Sequence, residues 1–441
     1  MKLKIHQFIY TVIYLFVISA CSAPKKVQNT TTQTADMPVV QKEDLTKTSK
    51  FLQDLLNKYP AQMQSILQHK DSNNVQIIYT TIDRGKNGLA NLKNYYYNVN
   101  EAHYFYPAST VKFPIIILAL QRLNELKLHG IDKNTTLLTE AGTAMQTAVY
   151  NDPTSADGRP TIAHYIKKIL LYSDNDAFNR LYEFLGQEYI NAELHKRGYA
   201  DAQIVHRLSV SLPEEENRKT NPFKFLDAAN NILYQQPLQT SKLSYASRND
   251  SLGYAYMQGN GLVPKPMDFS KKNRISLEDL HSIMQSIIFP ESAAAKKRFN
   301  ITEDDRQFLL KYMSQLPMET TFPPSPVTAS DSLYPFSKPY FFSAPQPIDL
   351  NNIRVFNKTG GAYGQLLDVA YVVDFDKNIE FFLSAVIYCN SDGILNDDKY
   401  DYNTVGYPFF RNLGKIIYDE EVNRKRKIVP DLSGLKFVYD K

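Results

Sequence analysis

Ser109-Thr110-Val111-Lys112 sets a hydroxyl and an amine three residues apart, where a connecting segment turns into an apolar helix. Three residues is close to one helical turn, so the two side chains stack on one face. A serine hydroxyl is a poor nucleophile until a base takes its proton, and an amine can be that base only if its pKa is lowered enough to leave it neutral. The pair is therefore a candidate nucleophile beside its base. The spacing alone is weak, because Ser22-Ala23-Pro24-Lys25 and Ser433-Gly434-Leu435-Lys436 repeat it. Context selects Ser109. It alone opens a long apolar helix, and it alone is followed in order by Ser173-Asp174-Asn175, between two helical stretches, and Lys358-Thr359-Gly360, at the end of a strand.

Stretches so far apart need a scaffold to bring them together. Phe51, Leu52, Leu55, Leu56, Tyr59, Met63, Ile66 and Leu67 recur at helical spacing, interrupted at Pro60. Val75 to Ile82 and Asn94 to Val99 read as strands joined by a Gly-containing segment, a hairpin. Val111 to Leu128 reads as a long apolar helix ended by Gly130, with Pro114 in its first turns, where a missing N–H costs little. Ile162 to Leu171 and Ala177 to Leu185 are two further helical stretches. Ile353 to Phe356, Leu367 to Phe375 and Ile379 to Tyr388 are β-rich, the last two joined by the tight turn Asp376-Lys377-Asn378, and Tyr407 to Val422 closes with a helix. This order predicts an α+β fold. Both chain ends share one antiparallel sheet flanked by helices, beside a mostly helical second lobe. Between Asn221 and Asn351 the pattern is least regular. Ser276 and Thr302 predict N-capped helices over Leu277 to Phe289 and Glu303 to Gln315, and Pro317 to Pro347 reads as an irregular surface segment.

The three motifs in this order resemble those of the class A β-lactamases and the wider penicillin-recognising serine hydrolases. Tyr106-Pro107-Ala108 before the serine and Phe113-Pro114 after the lysine also look like that family's nucleophile region, and the resemblance runs roughly from Thr48 to Val422. Ser109 to Ser173 is a family-like interval, whereas Ser173 to Lys358 is longer than usual, which enlarges the segment at about 223–350. The resemblance implies a β-lactamase/transpeptidase-like fold and a role for each residue. Ser109 would be the nucleophile and Lys112 its base, kept neutral by burial and by Lys358 across the cleft, while Lys358 keeps its charge for a substrate carboxylate. Ser173 would relay a proton to the leaving nitrogen, and Asn175 would hydrogen-bond the substrate's amide side chain. Thr359 would bind the carboxylate beside Lys358. The backbone N–H groups of Ser109 and Gly361 would form the oxyanion hole, with Gly361 also permitting close approach.

Class A enzymes hydrolyse their acyl-enzyme with a water activated by a glutamate after the second motif. Here the matching loop, Arg207 to Pro222, opens with Arg207-Leu208 and closes with Thr220-Asn221-Pro222 in family style, but the usual glutamate spacing is missing. Glu214, Glu215 and Glu216 are candidates, Glu214 preferred. The implied activity is a hydrolase that opens the β-lactam amide through an acyl-Ser109 intermediate. A peptidoglycan D,D-peptidase or penicillin-binding amidase with slow deacylation is one alternative, and a surface binding lipoprotein with impaired catalysis another. The small-molecule partner is a β-lactam or a peptidoglycan stem peptide, and no cofactor is implied.

Composition narrows the classes further. With 441 residues, 43% of them hydrophobic and 22% charged, the chain can bury a full-sized core. Lys plus Arg number 50 against 46 Asp plus Glu, and the one dense basic run, Arg424 to Lys427, lies in a C-terminal tail, 423–441, read as a solvated terminus. That balance argues against nucleic-acid binding, which needs clustered positive charge. Two cysteines and no His-Glu-Xaa-Xaa-His pair leave no metal site to propose. Lys2 and Lys4 precede an apolar stretch, Phe8 to Ile18, and Ile18-Ser19-Ala20-Cys21 resembles the lipobox of bacterial lipoproteins. Residues 1–20 are thus expected to be a lipoprotein signal peptide, Cys21 the lipidated residue, and 21–45 a polar tether to a domain at 46–422. The expected product is exported, monomeric and lipid-anchored to a bacterial membrane on its periplasmic or cell-surface side. Cys389 follows an apolar run and reads as a buried, inert thiol.

Overall fold

Pro60 starts a helix rather than breaking one: Lys50–Asn57 (α1) ends before it, and Pro60–Gln68 (α2) begins on it, with the missing N–H where no intrahelical partner exists. The computed structural model describes residues 45–126, 130–324, 336–342 and 352–440. The expected leader, Cys21 and nearly all the tether lie outside the described residues. After α2 comes the expected hairpin, Gln76–Arg84 (β1) and Ala90–Tyr97 (β2), the second strand starting four residues earlier than predicted. Lys112–Leu126 (α3) is buried on all sides from Phe113 to Gln121, as a helix apolar all round must be.

The helical lobe continues with Ile162–Tyr172 (α4), Asn175–Leu185 (α5), Gln187–Lys196 (α6) and the short Glu214–Arg218 (α7). Leu277–Ile288 (α8) is capped by Ser276, and Glu303–Ser314 (α9) by a reciprocal capping box of Thr302 and Asp305, as their sequences predict. Ile353–Ala362 (β3), Gln365–Asp374 (β4) and Ile379–Tyr388 (β5) follow, then Tyr407–Asn423 (α10). Among the described residues no helix is long and apolar enough to cross a membrane.

The main sheet has the order β3-β4-β5-β1-β2 and is antiparallel throughout, so the chain ends meet where β1 pairs with β5. Side chains alternate between two apolar layers. Ile78, Phe356, Val369 and Phe382 pack toward α3, α5, α8 and α9, while Ile77, Val355, Val372 and Phe381 pack toward α1, α2 and α10. Every residue of β4 is buried, which is why its sequence reads as a nearly continuous apolar run instead of alternating.

Three expectations change. Lys358-Thr359-Gly360 does not end its strand: β3 runs on through Ala362 at the edge of the sheet. Of the expected surface segment, Lys338, Tyr340 and Phe341 are buried behind β3. The basic run is not a solvated terminus. Arg424 and Arg426 pair with the fully buried Glu421, Leu432 is buried, and Asp440 pairs with Lys311 on α9. Charge suggested a free tail, but buried carboxylates need cations beside them, and these arginines supply them.

Candidate active site

The turn that carries Ser109 is fixed before α3 begins. Ala108–Val111 is a single 3₁₀ turn in which the Thr110 hydroxyl donates to the Pro107 carbonyl at 2.6 Å. Ala108 takes a positive φ of 46°, a strained conformation for a residue with a side chain, of the sort that clusters at functional sites. Against this turn lies β3. Phe356, Lys358 and Gly360 face the helical lobe, and a Cβ built on Gly360 would lie 3.0 Å from both the Pro107 oxygen and the Ser109 nitrogen. Those are backbone atoms with little room to retreat. A Cβ on Gly361 would meet nothing closer than 3.5 Å, so the close-approach glycine is Gly360, not Gly361 as the sequence suggested.

Gly361 has a different attribute. The carbonyls of Val355 and Thr359 accept from the Lys338 and Lys358 ammonium groups, each at 2.8 Å, so odd-numbered residues of β3 turn their backbone polar groups to the open edge. By the alternation of an antiparallel strand, the Gly361 N–H points to that same edge, beside the Ser109 turn.

The second motif meets the other two through Ser173, which sits in the left-handed region (φ 56°) as the C-cap of α4, while Asp174 caps α5 by accepting from the Ala177 N–H at 2.8 Å. Two consecutive helices thus end and begin around one hydroxyl. Lys112 Nζ donates to the Ser173 carbonyl and to Asn175 Oδ1 (2.6 Å), and stands 3.3 Å from Ser173 Oγ. From the opposite side Lys358 Nζ donates to Ser173 Oγ at 2.9 Å. Ser109 is half-buried at the same place, and its hydroxyl is not bonded to Lys112 Nζ. Such contacts are commonly loose without substrate and tighten when it binds. A small cavity lined by Tyr172, Ser173, Phe336, Ser337, Lys358 and Thr359 completes the junction. The structure therefore brings together Ser109, Lys112, Ser173, Asn175, Lys358, Thr359 and Gly361.

The electrostatics follow from burial. Lys112 is completely enclosed, and that loss of hydration, reinforced by the positive charge of Lys358, drives its pKa well below the usual lysine value, with Asp174 opposing. Lys358 is pushed down to about 7 by burial, with only Asp368 opposing. Burial thus works against the charge that Lys358 is expected to keep for a substrate carboxylate. No carboxylate is hydrogen-bonded to it, and its bonds go to Ser173 Oγ and the Thr359 carbonyl.

The loop after the second motif departs most from the reading of the sequence. Glu214 is paired with Arg218 (2.8 Å) and Lys271 (2.9 Å), and Glu216 with Lys219 (2.7 Å) and the Thr143 hydroxyl (2.9 Å). Neither carboxylate bonds a residue of the cluster. The loop residue that does is Ser209, whose Oγ accepts from Asn175 Nδ2 at 2.7 Å, with Ser209 itself at a positive φ of 55°. Asn179 clamps the Leu208 backbone at 2.8 and 3.1 Å, and Glu183 pairs with Arg207 at 2.6 Å. Asn175, Asn179 and Glu183 recur at four-residue spacing on one face of α5. That polar stripe was the available signal for the loop anchor, and sequence reasoning missed it.

Residues 48–420 match the family model described as the β-lactamase enzyme family. Comparison with curated proteins gave no match. Solved structures similar to this chain include a β-lactamase from Xanthomonas campestris (13% identity, 82% of this chain and 98% of that chain, TM-score 0.44). Another is a class A β-lactamase from Clostridium kluyveri (15% identity, 81% and 97%, TM-score 0.45). With one family match spanning all three motifs, and those motifs meeting around one serine hydroxyl on this fold, the chain belongs to the β-lactamase enzyme family.

Proposed function

We propose that the protein opens the β-lactam amide by acyl transfer to Ser109 and releases the acyl group slowly. The observation that carries this reading is the placement of two lysine amines on opposite sides of Ser173 Oγ, beside the Ser109 turn. A neutral Lys112 has two N–H bonds, which the Ser173 carbonyl and Asn175 Oδ1 take up, leaving its lone pair to accept a proton. Ser109 Oγ then attacks the carbonyl carbon while its proton passes to Lys112. The developing oxyanion is met by the Ser109 and Gly361 N–H groups, and as the amide C–N bond breaks Ser173 hands its proton to the departing nitrogen and takes one back from the Lys112 ammonium. Lys358 and Thr359 would hold a substrate carboxylate, and Asn175 the substrate's amide side chain.

Slow release is favoured by the fate of the glutamates. Glu214 and Glu216 are engaged elsewhere, a serine stands where the loop meets Asn175, and among the described residues no glutamate of this loop is bonded to the cluster to activate water there. Mixing enzyme with a chromogenic cephalosporin should give a burst of about one equivalent and then slow turnover, with the adduct mapped by mass spectrometry to Ser109. Absence of any Ser109 adduct would overturn acylation. Sustained turnover at about 1–10³ per second, the ordinary range for enzymes, would overturn slow release.

Gly360→Ala supplies a geometric check. The new Cβ must part β3 from the Ser109 turn by a few tenths of an ångström, so the acylation rate should fall by up to about 10²-fold, the effect of a misplacement of about 1 Å. Stopped-flow labelling with a fluorescent penicillin reads that rate, and an unchanged value would show that the two backbones are not in register for the reaction. For the leader, we propose export and acylation of Cys21, supported by its lipobox-like flank. A mature N-terminus that begins elsewhere, or lacks lipid on Cys21, would refute it.

A further inference from the structure

Behind β3, on the face away from the helical lobe, lies a polar network that the acylation chemistry does not use directly. Lys338, only 3% exposed, donates through Nζ to the carbonyls of Met313 (2.6 Å) and Val355 (2.8 Å) and to Asn357 Oδ1 (2.5 Å). The other end of the Asn357 amide donates to the Ser337 carbonyl at 2.9 Å and to both oxygens of Asp368, at 2.9 and 3.0 Å. One amide therefore stands between a buried cation and a buried anion, its oxygen toward the first and its nitrogen toward the second. Asp368 is fully enclosed on β4, directly opposite Thr359, and Asn357 is the residue before Lys358.

A buried carboxylate without a direct cation contact is costly, so its presence here calls for a physical reason. Its neighbours supply one. The charged groups around Lys358 are Lys112 on α3, Asp174 at the cap of α5, Lys338 from the segment before β3, and Asp368 on β4, while Arg354 farther along β3 is paired with Glu319. Of these, Asp368 is the one that favours the charged form of Lys358, and two other lysines share the neighbourhood.

We infer that Asp368, held in place through Asn357 by Lys338, is a positioning residue that keeps a proton on Lys358, so that the site recognises substrates bearing a carboxylate. Lys338 belongs to the enlarged segment, so that segment reaches the site from behind β3. The inference rests on the acylation reading above and deepens it by naming the residues behind β3 that keep the carboxylate-binding lysine charged. Burial holds the Asp368 carboxyl above its usual range and Lys338 below its own, as expected for two opposite charges joined through an amide and not in contact.

Acylation of the full chain by a penicillin and by its neutral methyl ester, followed from pH 6 to 9, separates the possibilities. In Asp368→Asn the acid-to-ester rate ratio at pH 8 should fall by about tenfold, and its alkaline decline should move about one pH unit lower, the equivalent of a one-unit change in Lys358. The ratio cancels any general loss of activity. Asp368→Ser, which removes the charge without a fixed amide, gives the same readout if Asp368→Asn does not fold. An unchanged ratio, with both rates intact or both reduced alike, overturns the inference. A wild-type protein acylated by neither probe overturns the acylation reading instead.

Discussion

Ser109→Ala should leave the fold intact and abolish labelling: no penicillin adduct by mass spectrometry, and cephalosporin opening reduced by about 10³-fold or more. The structural reason is specific to this serine. Its hydroxyl is half-buried at the cleft, and the bonds that hold the turn run from Thr110 to Pro107, so removing the hydroxyl should change stability by no more than about 0.5 kcal/mol. The other described Ser-Xaa-Xaa-Lys pair cannot substitute for it. Ser433 is exposed and Lys436 lies over the Phe375 ring at 5.3 Å, away from any second motif. Ser173 and Thr359 also bring hydroxyls to the cluster, but both amines already engage that of Ser173, which suits a relay. Ser173→Ala should slow acylation while leaving the adduct on Ser109. An adduct that persists in Ser109→Ala would show that the nucleophile has been misassigned.

Lys112→Met should cost acylation about 10³-fold, within the usual range for loss of a general base, and should also change how stability depends on pH. Burial and Lys358 lower the Lys112 pKa in the folded protein, whereas the unfolded chain keeps the ordinary value of 10.5. Across that interval the unfolded state binds more protons, so folded stability rises with pH until about 10.5 and is reduced below the folded pKa, where an ammonium must be buried or the proton released. Methionine has no such proton. In urea titrations between pH 7 and 10 the wild type should therefore gain on Lys112→Met as pH rises, with a slope of up to about 1.4 kcal/mol per unit from this one group. Lys358, pushed down to about 7, adds a slope of the same sign above pH 7 and is present in both proteins, so the difference between them isolates Lys112. Parallel curves would mean that Lys112 is an ordinary ammonium and that the base must be sought elsewhere.

Much of the fold was legible because its signals are local. Ser276 and Thr302 announced their helices with a capping hydroxyl, and the Asp376-Lys377-Asn378 turn has its left-handed residue at Asn378, φ 51°, a side chain suited to that conformation. The order of elements predicted that both chain ends would share one antiparallel sheet, and they meet where β1 pairs with β5. The three motifs were legible for the same reason: each is a short run whose chemistry does not depend on what surrounds it. What failed depended on surroundings. The basic run looked free because its partner Glu421 looks like any other surface glutamate of an amphipathic helix, yet Glu421 is fully buried. Glu214 looked catalytic by residue type and position, while its actual partners, Arg218 and Lys271, include one 57 residues away.

Residue identity alone determined which groups could be nucleophile, base and cation, because a hydroxyl and an amine carry their reactivity with them. The tertiary structure decided how those groups behave. The Lys112 pKa falls because helix and sheet close around it, Gly360 rather than Gly361 admits the Ser109 turn, and Asp368 meets Lys338 through Asn357 because residues 336–342 lie behind β3. Hydration, backbone approach and through-space charge depend on distances between residues far apart in the chain, and those distances exist only once the chain has folded.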